Sequence, residues 1–117
     1  MKDLKGVGIG IDIVDVNRFK KIPYVKKTTF YKKIFLKSEI DYCLRYKDNY
    51  RHFAAKFAIK EATIKSVQKK INLLDVETLY IKQKPTIKIR GDDDHLFLVS
   101  VSHDAGVAVA VVLCFPK

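Results

Sequence analysis

The stretch VGIGIDIVDV, Val7–Val16, alternates with period two. Val7, Ile9, Ile11 and Ile13 fall on one side, and Gly8, Gly10, Asp12 and Val14 on the other. This pattern predicts a strand with one packed face. Residues 17–46 are Lys-rich, with scattered aromatics and a break at Pro23. Short helices and loops are expected there, among them a helix from Lys37-Ser38-Glu39-Ile40 through Tyr46 with Ser38 as N-cap. His52–Lys70 contains neither Gly nor Pro and carries Ala54, Ala55, Ala58 and Ala62, which predicts the main helix. Phe53, Phe57, Ile64 and Val67 recur at helical spacing and form an apolar stripe. The last third reads as strands: Val76–Ile81 and Thr86–Arg90 around a turn at Pro85, then Leu96–Ser102 and Val107–Phe115 around a turn at His103-Asp104-Ala105-Gly106. The order of one strand, a helical block and four strands gives an α+β fold, with a mostly antiparallel sheet packed against a long central helix. All 117 residues are expected in a single domain, 1–117.

A chain of this length buries roughly two-thirds of its unfolded surface, enough for one modest core. An active site on it should be shallow or shared between subunits. Hydrophobic residues make up 48% and charged residues 31%, which excludes compositional disorder. The longest apolar run, Val107–Phe115, is about half the ~18 residues a membrane helix needs. MKDLKGVG lacks the apolar core of a signal peptide. Cys43 and Cys114 have no CxxC spacing, so a disulfide scaffold or cysteine zinc site is not expected, and the compartment is expected to be the cytoplasm. The net charge is +10, and residues 18–70 alone hold 16 basic and 4 acidic side chains. That field recruits an anionic partner: nucleic acid, an acidic protein, a phosphorylated ligand or an anionic membrane.

Three positions break the pattern around them. Asp12 shares a strand face with Gly8 and Gly10, where two missing side chains could leave room for a ligand; a strand-end Asp bonded to a turn is the plain alternative. The glycines do not make a dinucleotide fingerprint, because the third Gly of G-x-G-x-x-G is absent. Glu61 lies close to the axis of the apolar stripe, a costly place for a carboxylate unless it is paired or binds a metal. Lys65, one turn on, is the obvious ion-pair partner. Lys56 and Lys60 precede Glu61 on a flanking face, so three lysines surround one acid, an arrangement suited to a divalent cation with a polyphosphate. His103 stands at a hairpin mouth, and Ser102-His103-Asp104 is no hydrolase triad because strand neighbours point to opposite faces. Asp92-Asp93-Asp94 reads as a solvated turn.

Three segments together resemble one family. Ile9-Gly10-Ile11-Asp12-Ile13 running on to Arg18 is similar to its first strand motif. Phe57-Ala58-Ile59-Lys60-Glu61-Ala62-Thr63-Ile64-Lys65 is similar to its F-A-x-K-E-A-x-x-K helix, and Ser100-Val101-Ser102-His103 to its final S-x-S-H hairpin. The family is that of the small trimeric 4'-phosphopantetheinyl transferases, the holo-[acyl-carrier-protein] synthases. The resemblance implies Mg2+-dependent transfer of phosphopantetheine from coenzyme A to a serine of an acidic acyl carrier protein, with release of adenosine 3',5'-bisphosphate, a step that serves fatty acid biosynthesis. It implies Asp12 and Glu61 as metal ligands, with Asp12, Glu61 and Lys65 catalytic. Lys65, Lys60 and Lys56 would bind coenzyme A phosphates, and His103 would reach coenzyme A from a neighbouring subunit of a homotrimer. Arg18, Lys20, Lys21, Lys26 and Lys27 would face the carrier protein. The proton acceptor is left open between Glu61 and a metal-bound water. Departures from the family pattern are the missing Gly after the helix in Ser66–Lys70, the missing Gly before Pro85, and the short segment Gly91–His95. The competing reading, a small basic nucleic-acid-binding protein, rests on the basic block interleaved with Tyr and Phe. It gives Asp12 and Glu61 no role.

Overall fold

Strand β1 (Gly8–Asp15) pairs antiparallel with β5 (Val107–Pro116), and β5 with β4 (His95–Asp104), giving a three-stranded sheet in the order β1-β5-β4. Strands β2 (Val76–Ile81) and β3 (Lys84–Ile89) form a separate antiparallel pair. Between β1 and β2 run α1 (Asn17–Lys20), α2 (Thr28–Lys32), α3 (Lys37–Leu44) and α4 (Asn49–Ser66). This is the expected α+β arrangement, with the strands divided between two sheets. The computed structural model describes residues 4–117; the first three residues of the N-terminal segment read above for a targeting signal lie outside the described residues. Among the described residues, no helix is long and apolar enough to cross a membrane.

Several boundaries differ from the sequence expectation, each for a local reason. Helix α3 is capped at Leu36 rather than Ser38, because the Glu39 carboxylate accepts the Leu36 N–H at 2.8 Å. Helix α4 starts three residues before His52 and stops at Ser66, without a glycine: Val67 turns to extended backbone, and Lys69 leaves to pair with Asp92. His103 and Asp104 belong to β4, since the turn is the two-residue Ala105-Gly106 with φ of 50° and 79°. In the same way Lys82-Gln83 makes the β2–β3 turn, and Pro85 sits inside β3 opposite Tyr80.

Helix α4 is the centre of the molecule, with every residue from Phe53 to Lys60 buried. Phe53 joins Phe19, Tyr31 and Phe35 in an aromatic cluster, with the Tyr31 and Phe53 rings 4.7 Å apart edge to face. Such pairs add about 0.5–1.5 kcal/mol each beyond their buried area. The packed face of β1 is the glycine face. A methyl group on Gly10 would lie 1.9 Å from the Ala62 carbonyl oxygen, and one on Gly8 would lie 1.7 Å from that of Ser66. The glycines therefore admit the helix backbone. They do not leave room for a ligand, which corrects the sequence expectation. Ile9, Ile11 and Ile13 point the other way and are 60–66% exposed, in one field with Leu96 and Leu98. Ile9 and Leu98 both pair with Leu113 across the sheet.

Candidate active site

The contact between β1 and α4 puts Asp12 beside the helix. Gly8 meets Ser66 and Gly10 meets Ala62, so the strand runs against the helix direction. Two more strand residues advance about 6.8 Å, a little over four helical residues, which carries Asp12 to the turn that holds Ala58 and Glu61. The Lys65 ammonium donates to the Asp12 carboxylate at 3.2 Å and to the Ile11 carbonyl at 3.0 Å. The helix ion pair Glu61–Lys65 does not form. Among the described residues the Glu61 carboxylate has no hydrogen-bond or ion-pair partner, although it is half-buried. Asp12, Glu61 and Lys65 thus share one edge of the β1–α4 seam: two acids and one cation, at the rim of solvent.

No three His, Cys, Asp or Glu side chains gather about one point among the described residues. A cation at this seam would have two protein carboxylates and would complete its shell with water and phosphate oxygens. That donor set fits Mg2+, which takes few carboxylates and keeps several waters, and it does not fit Zn2+.

Lys60 and Lys56 lie elsewhere. At about 100° per residue, α4 turns Lys60 away from Glu61, and Lys56 follows Lys60 on the same side. Lys60 is wholly buried, its ammonium bonded to Glu39 Oε1 at 2.7 Å, Leu73 O at 3.0 Å and Val76 O at 2.6 Å. Burial pulls its pKa down, against the raising effect of Glu39. All three of its protons are used, so Lys60 does not bind a phosphate, which corrects that expectation. The Lys56 ammonium donates to the Thr78 hydroxyl at 3.0 Å and carbonyl at 3.1 Å. It also lies under the rings of Tyr42 and Tyr80, 4.7 and 5.2 Å from their centroids. At 2% exposed, it forms the floor of an open cleft of about 440 Å3 whose rim carries Arg45. The cluster of three lysines around Glu61 is therefore one lysine, with the other two built into the interior.

His103 shares the helix-facing side of the sheet with Asp12, but from the far strand. Two strand spacings and two residues separate them, roughly 12 Å between Cα atoms. It lines a second cleft, of about 290 Å3, with Lys20, Arg51 and Asp48. Lys20, Lys21, Lys26 and Lys27 are exposed, as is Arg18, whose guanidinium lies 5.1 Å from the Phe57 ring centroid. Val25 stands among them 82% exposed.

Sequence reading missed Glu39, which ties α3 to α4 and β2. The available signal was an acid in the first turn of a helix, next to Ser38 and two residues before Asp41, which also describes a solvated N-terminal turn. It missed Asp92 as well. Its side chain is buried, bonded to Lys69 at 2.9 Å and His95 at 2.8 Å, and is no solvated acid.

Residues 8–112 match the 4'-phosphopantetheinyl transferase superfamily model. The holo-[acyl-carrier-protein] synthase of Thermodesulfovibrio yellowstonii is 38% identical over 109 residues, 91% of this chain and 96% of the relative. The crystal structure of the Bacillus anthracis synthase in complex with CoA (3',5'-ADP) superposes with a TM-score of 0.81 at 29% identity, covering 94% of this chain and 96% of that one. The Helicobacter pylori synthase in complex with coenzyme A gives 0.78 at 33% identity, covering 92% and 99%. Motifs, fold and relatives agree, and the chain belongs to the 4'-phosphopantetheinyl transferase superfamily, among its holo-[acyl-carrier-protein] synthases.

Proposed function

We propose that this chain acts as a single domain to move the 4'-phosphopantetheine arm of coenzyme A onto a serine hydroxyl of an acidic apo acyl carrier protein, with Mg2+. The observation that carries the reading is the seam of Asp12, Glu61 and Lys65, two underused carboxylates and an exposed ammonium where β1 crosses α4. In the transfer, the serine oxygen bonds to the phosphorus that carries pantetheine. The bond from that phosphorus to the bridging oxygen breaks, and adenosine 3',5'-bisphosphate leaves with the electron pair. Mg2+ bound at Asp12 and Glu61 would neutralise charge on the pyrophosphate. Lys65 supplies the protein's own positive charge to the phosphate oxygens. Its bond to Asp12 holds it at the seam until then. Glu61, with no partner among the described residues, is placed to accept the serine proton directly or through a water.

Farther from the reacting phosphorus, the cleft over Lys56 offers Arg45 to the outer phosphates. His103 lies too far from Asp12 in its own chain to join the same seam, so it would serve the site of a neighbouring subunit. The exposed field of Ile9, Ile11, Ile13, Leu96 and Leu98 is the kind of apolar face that a second copy covers, and a homotrimer is the assembly proposed. Arg18, Lys20, Lys21, Lys26 and Lys27 would steer the acidic carrier, with Val25 as an apolar contact among them. With two reduced, buried thiols, the chain fits a cytoplasmic place and the supply of carriers to fatty acid biosynthesis.

Calorimetric titration with coenzyme A tests the site. Tight binding that requires Mg2+ and weakens in Glu61→Gln supports the reading. Equal binding with and without Mg2+ refutes the role of the carboxylates.

A further inference from the structure

Glu39 is 1% exposed, and its carboxylate is saturated. Oε1 accepts from Leu36 N at 2.8 Å and Lys60 Nζ at 2.7 Å; Oε2 accepts from Thr78 N at 2.7 Å and Thr78 Oγ1 at 2.6 Å. The Thr78 hydroxyl in turn accepts from Lys56 Nζ. One buried network thus joins α3, α4, β2 and the Leu73–Asp75 turn, and it holds two ammonium groups against one carboxylate. Ionic groups in a core are a poor source of stability, because desolvation offsets their attraction. What such a network supplies is geometry: a lysine with three fixed acceptors defines both the rotation and the height of the helix that carries it.

Lys60 is the residue before Glu61. On the opposite side, α4 rests backbone to backbone against β1 through Gly8 and Gly10, with no side chain of the strand standing between them at those positions. We propose that Glu39 is a positioning residue for the transfer reaction: through Lys60 it fixes the rotation of α4 that presents Glu61 and Lys65 to Asp12. This rests on the reading of the seam as the site of transfer. Glu39 touches no substrate. It acts at the far side of the helix, and the Thr78 hydroxyl carries the same constraint to Lys56 beneath the Arg45 cleft.

The test uses the full chain and the pair Thr78→Val and Thr78→Ser, with Glu39→Gln beside them. Val keeps the shape of Thr and its backbone bonds but removes the hydroxyl that donates to Glu39 and accepts from Lys56, and Ser keeps that hydroxyl. Each variant is checked for folding by thermal unfolding and for assembly by solution mass, then assayed for transfer across a series of carrier concentrations at saturating coenzyme A. Thr78→Val and Glu39→Gln should fold and bind carrier with an unchanged KM, while kcat falls by about 10²-fold, the scale expected for misplacing reacting groups by an ångström. Thr78→Ser should restore kcat to within about twofold of the unaltered chain, far inside that loss. Folded variants with unaltered kcat, or a Ser variant as slow as Val, would overturn the positioning role and leave the transfer reading standing. If Glu39→Gln fails to fold, the Val and Ser pair decides alone. Absence of transfer by the unaltered chain would overturn the transfer reading and the positioning role with it.

Discussion

The Lys65 ammonium lies 3.2 Å from the Asp12 carboxylate across the β1–α4 seam, and leaves Glu61, one turn away on its own helix, without a partner among the described residues. A helix lysine that prefers a strand acid 53 residues away over its own i−4 neighbour marks the seam as organised for something other than helix stability. It leaves one carboxylate uncommitted, which is what a cation site needs.

Glu61→Gln tests this first. The amide keeps the size of the side chain and removes only its charge. No partner among the described residues is lost, so the melting temperature should stay nearly unchanged. Turnover with coenzyme A and carrier should drop by about 10²–10³-fold, as when one preorganised electrostatic contact is deleted. Thermal melts and a transfer assay on the same preparation check both halves.

Gly10→Ala addresses the seam itself. The added methyl would meet the Ala62 carbonyl at 1.9 Å, and backbone cannot move aside cheaply. The loss should be about 3 kcal/mol or more, at the upper end for overpacking. Denaturant unfolding measures it; a loss near zero would mean that strand and helix are not in contact as described.

Ile11→Glu bears on assembly. The side chain is 60% exposed in the isolated chain, so the substitution should leave the fold intact. Light scattering should show the unaltered protein at three times the 13.5 kDa chain mass and the variant at a lower multiple. The variant should also lose transfer, because His103 would no longer reach a neighbour's site.

Replacing Lys20, Lys21, Lys26 and Lys27 by Gln should raise the KM for an acidic carrier by roughly tenfold and leave kcat nearly unchanged, since rim charges act on encounter. The difference should shrink with added salt, as the screening length falls to a few ångströms. Steady-state kinetics across a salt series reads this.

Asp92→Asn should reveal a pH-dependent brace between the segment after α4 and the start of β4. Burial opposes the charged form of Asp92, but hydrogen bonds from Lys69, the Asp94 N–H and His95 overcome it, and its pKa is held well below that of an ordinary aspartate. A depressed carboxylate pKa stabilises the fold above the unfolded value, near pH 4, and that stability is lost as pH falls further. The melting-temperature gap between the unaltered chain and the variant should therefore be full at pH 6–7 and should close below about pH 4.

Asp12, Glu61 and Lys65 were legible in the sequence because each breaks a local pattern: an acid in an apolar strand, an acid on a packed helix face, and a lysine one turn beyond it. The same logic misassigned Lys56 and Lys60. Periodicity shows which residues share a helix face but not what lies opposite, and the acceptors of Lys60 come from Glu39, Leu73 and Val76, far along the chain. The two glycines of β1 were equally ambiguous, since a missing side chain makes room for a ligand or for another backbone, and only the packing decides. The order and type of strands were readable from alternation. Turn positions were not, because Lys82-Gln83 and Ala105-Gly106 adopt positive φ with three residues that do not advertise it.

The central claim is the transfer itself. The purified chain, mixed with coenzyme A, Mg2+ and an apo acyl carrier protein, should raise the intact mass of the carrier by one phosphopantetheine arm. A chelator should abolish the gain, and so should a Ser→Ala change at the carrier's acceptor serine. A carrier that stays at its apo mass with the unaltered chain under these conditions, across several acidic carriers, would contradict the account.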